Sequence, residues 1–139
     1  MYFITVCTKN KENLFWQKVG ASIARPQEIP LTRIGQAVRN GIESIPNVYS
    51  LVSVCNYVIM PNHIHLLLRI HDSNGRAMLA PTISRVVQQF KGNVTKTVGY
   101  SIWQKLFYDR IVRSREEYDK INTYINNNPT DWQQDELYN

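Results

Sequence analysis

Residues 51 to 70 limit what this chain can fold into more than any other stretch. Leu51-Val52-Ser53-Val54-Cys55-Asn56-Tyr57-Val58-Ile59 and His63-Ile64-His65-Leu66-Leu67-Leu68 are apolar runs of strand length. Met60-Pro61-Asn62 separates them with turn chemistry. The two runs read as an antiparallel hairpin near the centre of a sheet. A strand repeats every two residues, so His63 and His65 leave the same sheet face. Two imidazoles side by side on a rigid element form half of a metal site. The same spacing suits two hydrogen-bonded imidazoles with no ligand, and spacing alone leaves both readings open.

The other elements fall around this hairpin. Tyr2-Phe3-Ile4-Thr5-Val6-Cys7-Thr8 is β-branched and aromatic and reads as a first strand. A long connection, 9–30, holds Gly20, Pro26 and Pro30. Thr32 reads as an N-cap for a helix through Ile34, Val38, Ile42 and Ile45, ending near Ser44 before Pro46. His71 to Gly75 reads as a loop. From Thr82 a second helix carries Ile83, Val86, Val87, Phe90 and Val94 on one side and ends near Gly99. Ile102 to Val112 reads as the fourth strand. Ser114, with Glu117 at the capping-box position, opens a last helix that Pro129 stops near Asn128. The order β-α-β-β-α-β-α predicts an α+β fold: a ferredoxin-like antiparallel sheet with helices packed on it, in one domain spanning 1–139.

Charge and cysteine content narrow the partners. The chain has a formal net charge of +5. Ten Lys/Arg face five Asp/Glu between Arg69 and Lys120, while the remainder carries six of each. The whole excess lies in one segment, which suggests a polyanion partner. Arg85, Lys91 and Lys96 on the second helix are the expected phosphate contacts. Cys7 and Cys55 lie in strand-like runs with no C-x-x-C, so they read as buried thiols of a reduced compartment. No leader pattern and no membrane-length apolar run is evident, so a cytoplasmic protein without membrane contact is expected.

The last helix is the second informative feature. Tyr118, Ile121 and Ile125 form its core stripe, with Tyr124 at the border. Lys120, Tyr124 and Asn128 are spaced by four and share a face. A half-exposed tyrosine flanked by an ammonium and an amide is suited to nucleophilic attack. Lys120 would favour the phenolate and hold a phosphate, and the Asn128 oxygen could ligate a hard metal. An amphipathic tyrosine with its hydroxyl in water is the structural alternative.

Together these segments resemble a known family. Tyr57-Val58-Ile59-Met60-Pro61-Asn62-His63-Ile64-His65-Leu66-Leu67-Leu68 is similar to the HUH motif of the single-tyrosine transposases. These serve insertion sequences that move as single-stranded DNA, and REP-associated relatives. Tyr124-Ile125-Asn126-Asn127-Asn128-Pro129 resembles the family's tyrosine motif, and Trp103-Gln104 through Glu117 the stretch before its last helix. Phe3 to Thr8 fits its first strand and Gln88-Gln89-Phe90-Lys91 its middle helix.

The resemblance implies a metal-dependent DNA transposase. His63, His65 and Asn128 would hold Mg²⁺ or Mn²⁺. Tyr124 would attack a DNA phosphate, leaving a 5′-phosphotyrosine link and a free 3′-hydroxyl. The partner would be single-stranded DNA folded into a hairpin. Insertion-sequence relatives are homodimers and some REP-associated relatives are monomers, so the oligomeric state stays open. Many relatives carry Gln where this chain has Asn128, and often His where it has Arg110. Asp131 to Glu136 is acidic where the REP-associated branch commonly has a basic extension. A histidine-triad hydrolase is disfavoured because Leu67 stands where a further His is needed. The rival from another class is a domesticated hairpin-DNA-binding protein without transposition activity.

Overall fold

The computed structural model describes residues 1–17, 30–71, 81–132 and 137. Four strands, β1 (Tyr2–Cys7), β2 (Val52–Ile59), β3 (His63–Ile70) and β4 (Tyr108–Ile111), alternate with helices α1 (Arg33–Val48), α2 (Ile83–Val98) and α3 (Arg115–Asn127). The sheet order is β2-β3-β1-β4, with every neighbouring pair antiparallel. This is the ferredoxin-like α+β arrangement expected from the element order. Residues 18–29 of the connection between β1 and α1, residues 72–80 after His71 and most of the stretch after Trp132 lie outside the described residues.

The two sheet faces are covered by different layers. Ile4, Val6, Ile64, Leu66 and Leu68 point into a core shared with Val38, Ile42 and Ile45 of α1 and Val86, Val87, Phe90 and Val94 of α2. On the other face, Leu67, Val58 and Met60 pack with Ile121 and Ile125 of α3. With both faces covered, β3 is buried from His63 through Leu68, and its sequence is a continuous apolar run instead of an alternation. Thr32, Thr82 and Ser114 cap their helices by accepting from the backbone N–H three residues on. Gly99 ends α2 in the left-handed region, at φ 98°.

Three sequence expectations need correction. Helix α1 continues past Ser44 to Val48 with Pro46 inside its last turn. There the missing N–H removes one bond, and Tyr49 N–H still closes on the Ile45 carbonyl. The fourth strand is only Tyr108–Ile111, preceded by a single bridge between Trp103 and Thr8. Trp103 is instead drawn into the α1–α2 core between Phe15 and Phe90. The carbonyls of Gln104 and Lys105 are bound by a lysine ammonium and not by a strand. Cys7 is buried but Cys55 is exposed, because a register shift between Val54 and Asn56 turns it outward.

Candidate metal and tyrosine site

Antiparallel pairing builds the site on the α3 face of the sheet. His63 and His65 lie on β3, opposite Cys7 and Thr5 of β1. Their Nε2 atoms approach to 3.2 Å. Each remaining ring nitrogen is held by a separate residue. His65 Nδ1 lies 2.8 Å from the Thr5 hydroxyl. His63 Nδ1 lies 2.8 Å from Asn62 Oδ1. The Asn62 amide is itself fixed, since its Nδ2 donates to the Leu137 carbonyl at 2.7 Å and the Lys11 carbonyl at 3.4 Å. Its Oδ1 therefore faces the ring as an acceptor, His63 Nδ1 carries the proton, and Nε2 presents a lone pair.

Burial sets the protonation state. His63 is 0% exposed and His65 4%. Desolvation pushes the His63 pKa down to about 4, so the ring is neutral at physiological pH. Aromatic rings enclose the pair. Phe3 stacks on His65 at 5.2 Å, and Trp132 tilts over His63 at 5.9 Å.

Helix α3 brings the tyrosine to the same place. Tyr124 is exposed and sets its ring against His65 of the same chain, with centroids 5.3 Å apart, and edge-on to Phe3. Asn56 of β2 anchors the helix by donating to Asn122 and Asn126. Asn128 is buried at the helix end. Its Nδ2 donates to the Tyr124 carbonyl, and its Oδ1 has no hydrogen-bond partner among the described residues. An orphaned buried oxygen calls for a ligand. Lys120, one turn before Tyr124, is exposed and pairs with Glu116 at 3.4 Å.

The donor set fits a divalent cation. It offers two imidazole nitrogens at chelating separation, both rings with supported Nδ1 atoms. The unsatisfied Asn128 oxygen stands at the end of the helix that carries Tyr124. Among the described residues no cluster of three His, Cys, Asp or Glu exists, so a further ligand must come from another residue type or from substrate.

The basic residues expected on α2 are not at this site. Lys91 is buried, and its Nζ donates to the carbonyls of Gln104 and Lys105 at 2.8 and 3.2 Å. The ammonium ties down the segment leading to β4, using two of its three N–H donors. Arg85 and Lys96 are exposed, but α2 packs on the sheet face opposite the histidines. His71 is exposed and bonds Ser53. Sequence reasoning missed Thr5, Asn56 and Asn62 as supports. Asn62 carried a readable signal, being an amide one residue from His63, but in the sequence it reads first as a turn residue.

Comparisons place the fold among known proteins. No family model matches the chain. It is 34% identical to an uncharacterized protein of Haemophilus influenzae, covering 99% of this chain and 84% of that one. A structure of a REP-associated tyrosine transposase bound to a REP hairpin matches with a TM-score of 0.64 at 21% identity, over 92% of this chain. This chain spans 65% of that protein's length. A candidate transposase of Deinococcus radiodurans R1 matches with a TM-score of 0.57 at 16% identity, over 91% of this chain and 88% of that one. The chain shares its fold with the REP-associated tyrosine transposase and the Deinococcus radiodurans protein. The chain belongs to one family with the Haemophilus influenzae protein. Among the described residues no helix is long and apolar enough to cross a membrane.

Proposed function

We propose that this protein is a single-tyrosine HUH transposase that cleaves and rejoins single-stranded hairpin DNA. The observation that carries the reading is the juxtaposition of Tyr124 with the His63–His65 pair within one chain. His63, His65 and Asn128 would hold Mg²⁺ or Mn²⁺, which when bound polarises the scissile phosphate and neutralises charge developing on it.

The remaining chemistry belongs to the side chains. Tyr124 Oη forms a bond to phosphorus as the P–O3′ bond breaks. The leaving 3′-oxygen takes up a proton, and the 5′-phosphate stays on the tyrosine. The phosphotyrosine conserves the phosphodiester bond energy, so the reverse attack rejoins strands without a nucleotide cofactor. Lys120 lies one turn before Tyr124 on α3, where its ammonium would hold a phosphate oxygen. Exposure of Tyr124 leaves room for a strand to reach it. Arg85 and Lys96 would meet phosphates of a hairpin arm away from the cleaved bond.

The test is covalent trapping. The protein is incubated with Mn²⁺ and a pool of 3′-labelled single-stranded hairpins, and labelled protein is sought on a denaturing gel. The expected result is an adduct lost on chelation and in Tyr124→Phe. Hairpin retention with no adduct under any metal condition would assign the protein to DNA binding without chemistry.

A further inference from the structure

Helix α3 touches a second feature at its other end. A cleft of about 530 Å³ opens between the ends of β1, β3 and β4 and the start of α3. Arg69, Arg113 and Arg115 line it, with Val112 and Tyr118. All three arginines are exposed, and among the described residues no carboxylate lines the cleft. Arg115 is shared, pairing with Asp119 at 3.3 Å and standing over the Tyr118 ring at 5.9 Å.

The cleft and the histidines lie on one surface. Along β3, Arg69 alternates in step with His63, His65 and Leu67, so it belongs to the α3 face. Four residues of strand separate His65 from Arg69, about 13 Å at 3.3 Å per residue. Nine residues of helix separate Arg115 from Tyr124, again about 13 Å at 1.5 Å per residue. Both elements thus carry one end of the span at the tyrosine and the other at the arginines. Guanidinium groups suit phosphate because their planar fork matches two oxygens at once.

We infer that the cleft lined by Arg69, Arg113 and Arg115 is a second phosphate site, which grips single-stranded DNA some 13 Å from the Tyr124–histidine pair. It rests on the reading of the protein as a DNA-cleaving enzyme and names where the uncleaved part of the strand is held. The cleft takes backbone phosphate and not a base edge, so it contributes affinity and register without sequence choice. This adds phosphate contacts on the sheet face that carries the histidines, separate from those proposed for Arg85 and Lys96 on α2.

The experiment measures affinity for a fluorescent single-stranded oligonucleotide of mixed sequence between about 50 and about 200 mM salt. Arg69→Gln and Arg113→Gln are compared with wild type and with Arg33→Gln, a charge-matched control on α1 of the opposite layer. Each cleft variant should bind severalfold more weakly and lose about 0.7 from the log–log salt slope, the value for one phosphate on a single strand. Arg33→Gln should keep the wild-type slope. Calorimetric Mn²⁺ binding should match wild type in all of them, showing that the histidine end is intact. Cleft variants with wild-type affinity and slope overturn the inference while leaving the proposed activity standing. Wild-type protein that binds no single strand at all removes both.

Discussion

His63 and His65 present their Nε2 atoms to each other at 3.2 Å, and each ring is braced from a different element. Asn62 holds His63 from the turn and Thr5 holds His65 from β1 across the strand pair. The rings therefore cannot rotate independently of the hairpin turn and the sheet register. That arrangement costs nothing extra on cation binding, since orientation and tautomer are set beforehand.

Removing either brace should loosen the site without unfolding it. Asn62→Ala and Thr5→Val should each weaken Mn²⁺ binding by about 10- to 100-fold, the usual cost of losing a support to a ligating histidine. Calorimetry measures this directly. Nitrogen-15 NMR of the imidazoles should show the Nδ1–H tautomer of His63 in wild type and a mixture in Asn62→Ala. Unchanged affinity and an unchanged tautomer in Asn62→Ala would mean that the amide only closes the turn.

Burial of His63 also makes metal-free stability depend on pH. An unfolded histidine titrates near 6.5, whereas folded His63 titrates near 4. Between those values the unfolded chain binds the extra proton. Stability is thus fully present above about pH 6.5 and falls as pH drops towards 4, by roughly 3 kcal/mol for a shift of this size. Chemical denaturation of the metal-free protein across pH 4 to 7 should show that slope. In His63→Asn the slope should flatten. A variant that keeps the full wild-type slope would place the titrating group elsewhere.

Lys91 separates a structural lysine from a DNA-binding one. Its ammonium satisfies two carbonyls in the segment before β4. Lys91→Met keeps the apolar stem but leaves those acceptors to find water, which should cost about 1–3 kcal/mol. The midpoint of thermal unfolding should drop by several degrees, while the salt slope of DNA binding stays at the wild-type value. A lower slope at unchanged stability would return Lys91 to the DNA surface.

The parts legible in the sequence were those written in local periodicity. Alternation put His63 and His65 on one face, capping residues set the helix starts, and element order gave the sheet. What escaped was decided by tertiary contacts. Residues 102 to 107 look like strand, yet Trp103 is claimed by two phenylalanines and the next two carbonyls by Lys91. Helical spacing showed that Lys91 lies off the main apolar stripe but not that its long stem could reach inward. The bracing of Asn62 depends on carbonyls at Lys11 and Leu137, far away in sequence, and no local pattern encodes that meeting.

Two tyrosines on α3 can be told apart by position. Tyr118 and Tyr124 are six residues apart, about 240° around the axis at 3.6 residues per turn. Tyr118 is half-buried against the Ile121 and Ile125 cluster and lies under Arg115. Tyr124 is 45% exposed and sets its ring against His65. Loss of one oxygen from an exposed ring should cost little, so Tyr124→Phe should unfold within about 0.5 kcal/mol of wild type. It should retain Mn²⁺ and DNA binding yet form no covalent protein–DNA adduct. Tyr118→Phe should still form the adduct at close to the wild-type yield. Peptide mapping of the trapped species should place the nucleotide on the peptide containing Tyr124. An adduct that persists in Tyr124→Phe, or maps to Tyr118, would show that the ring beside His65 is packing and not the nucleophile.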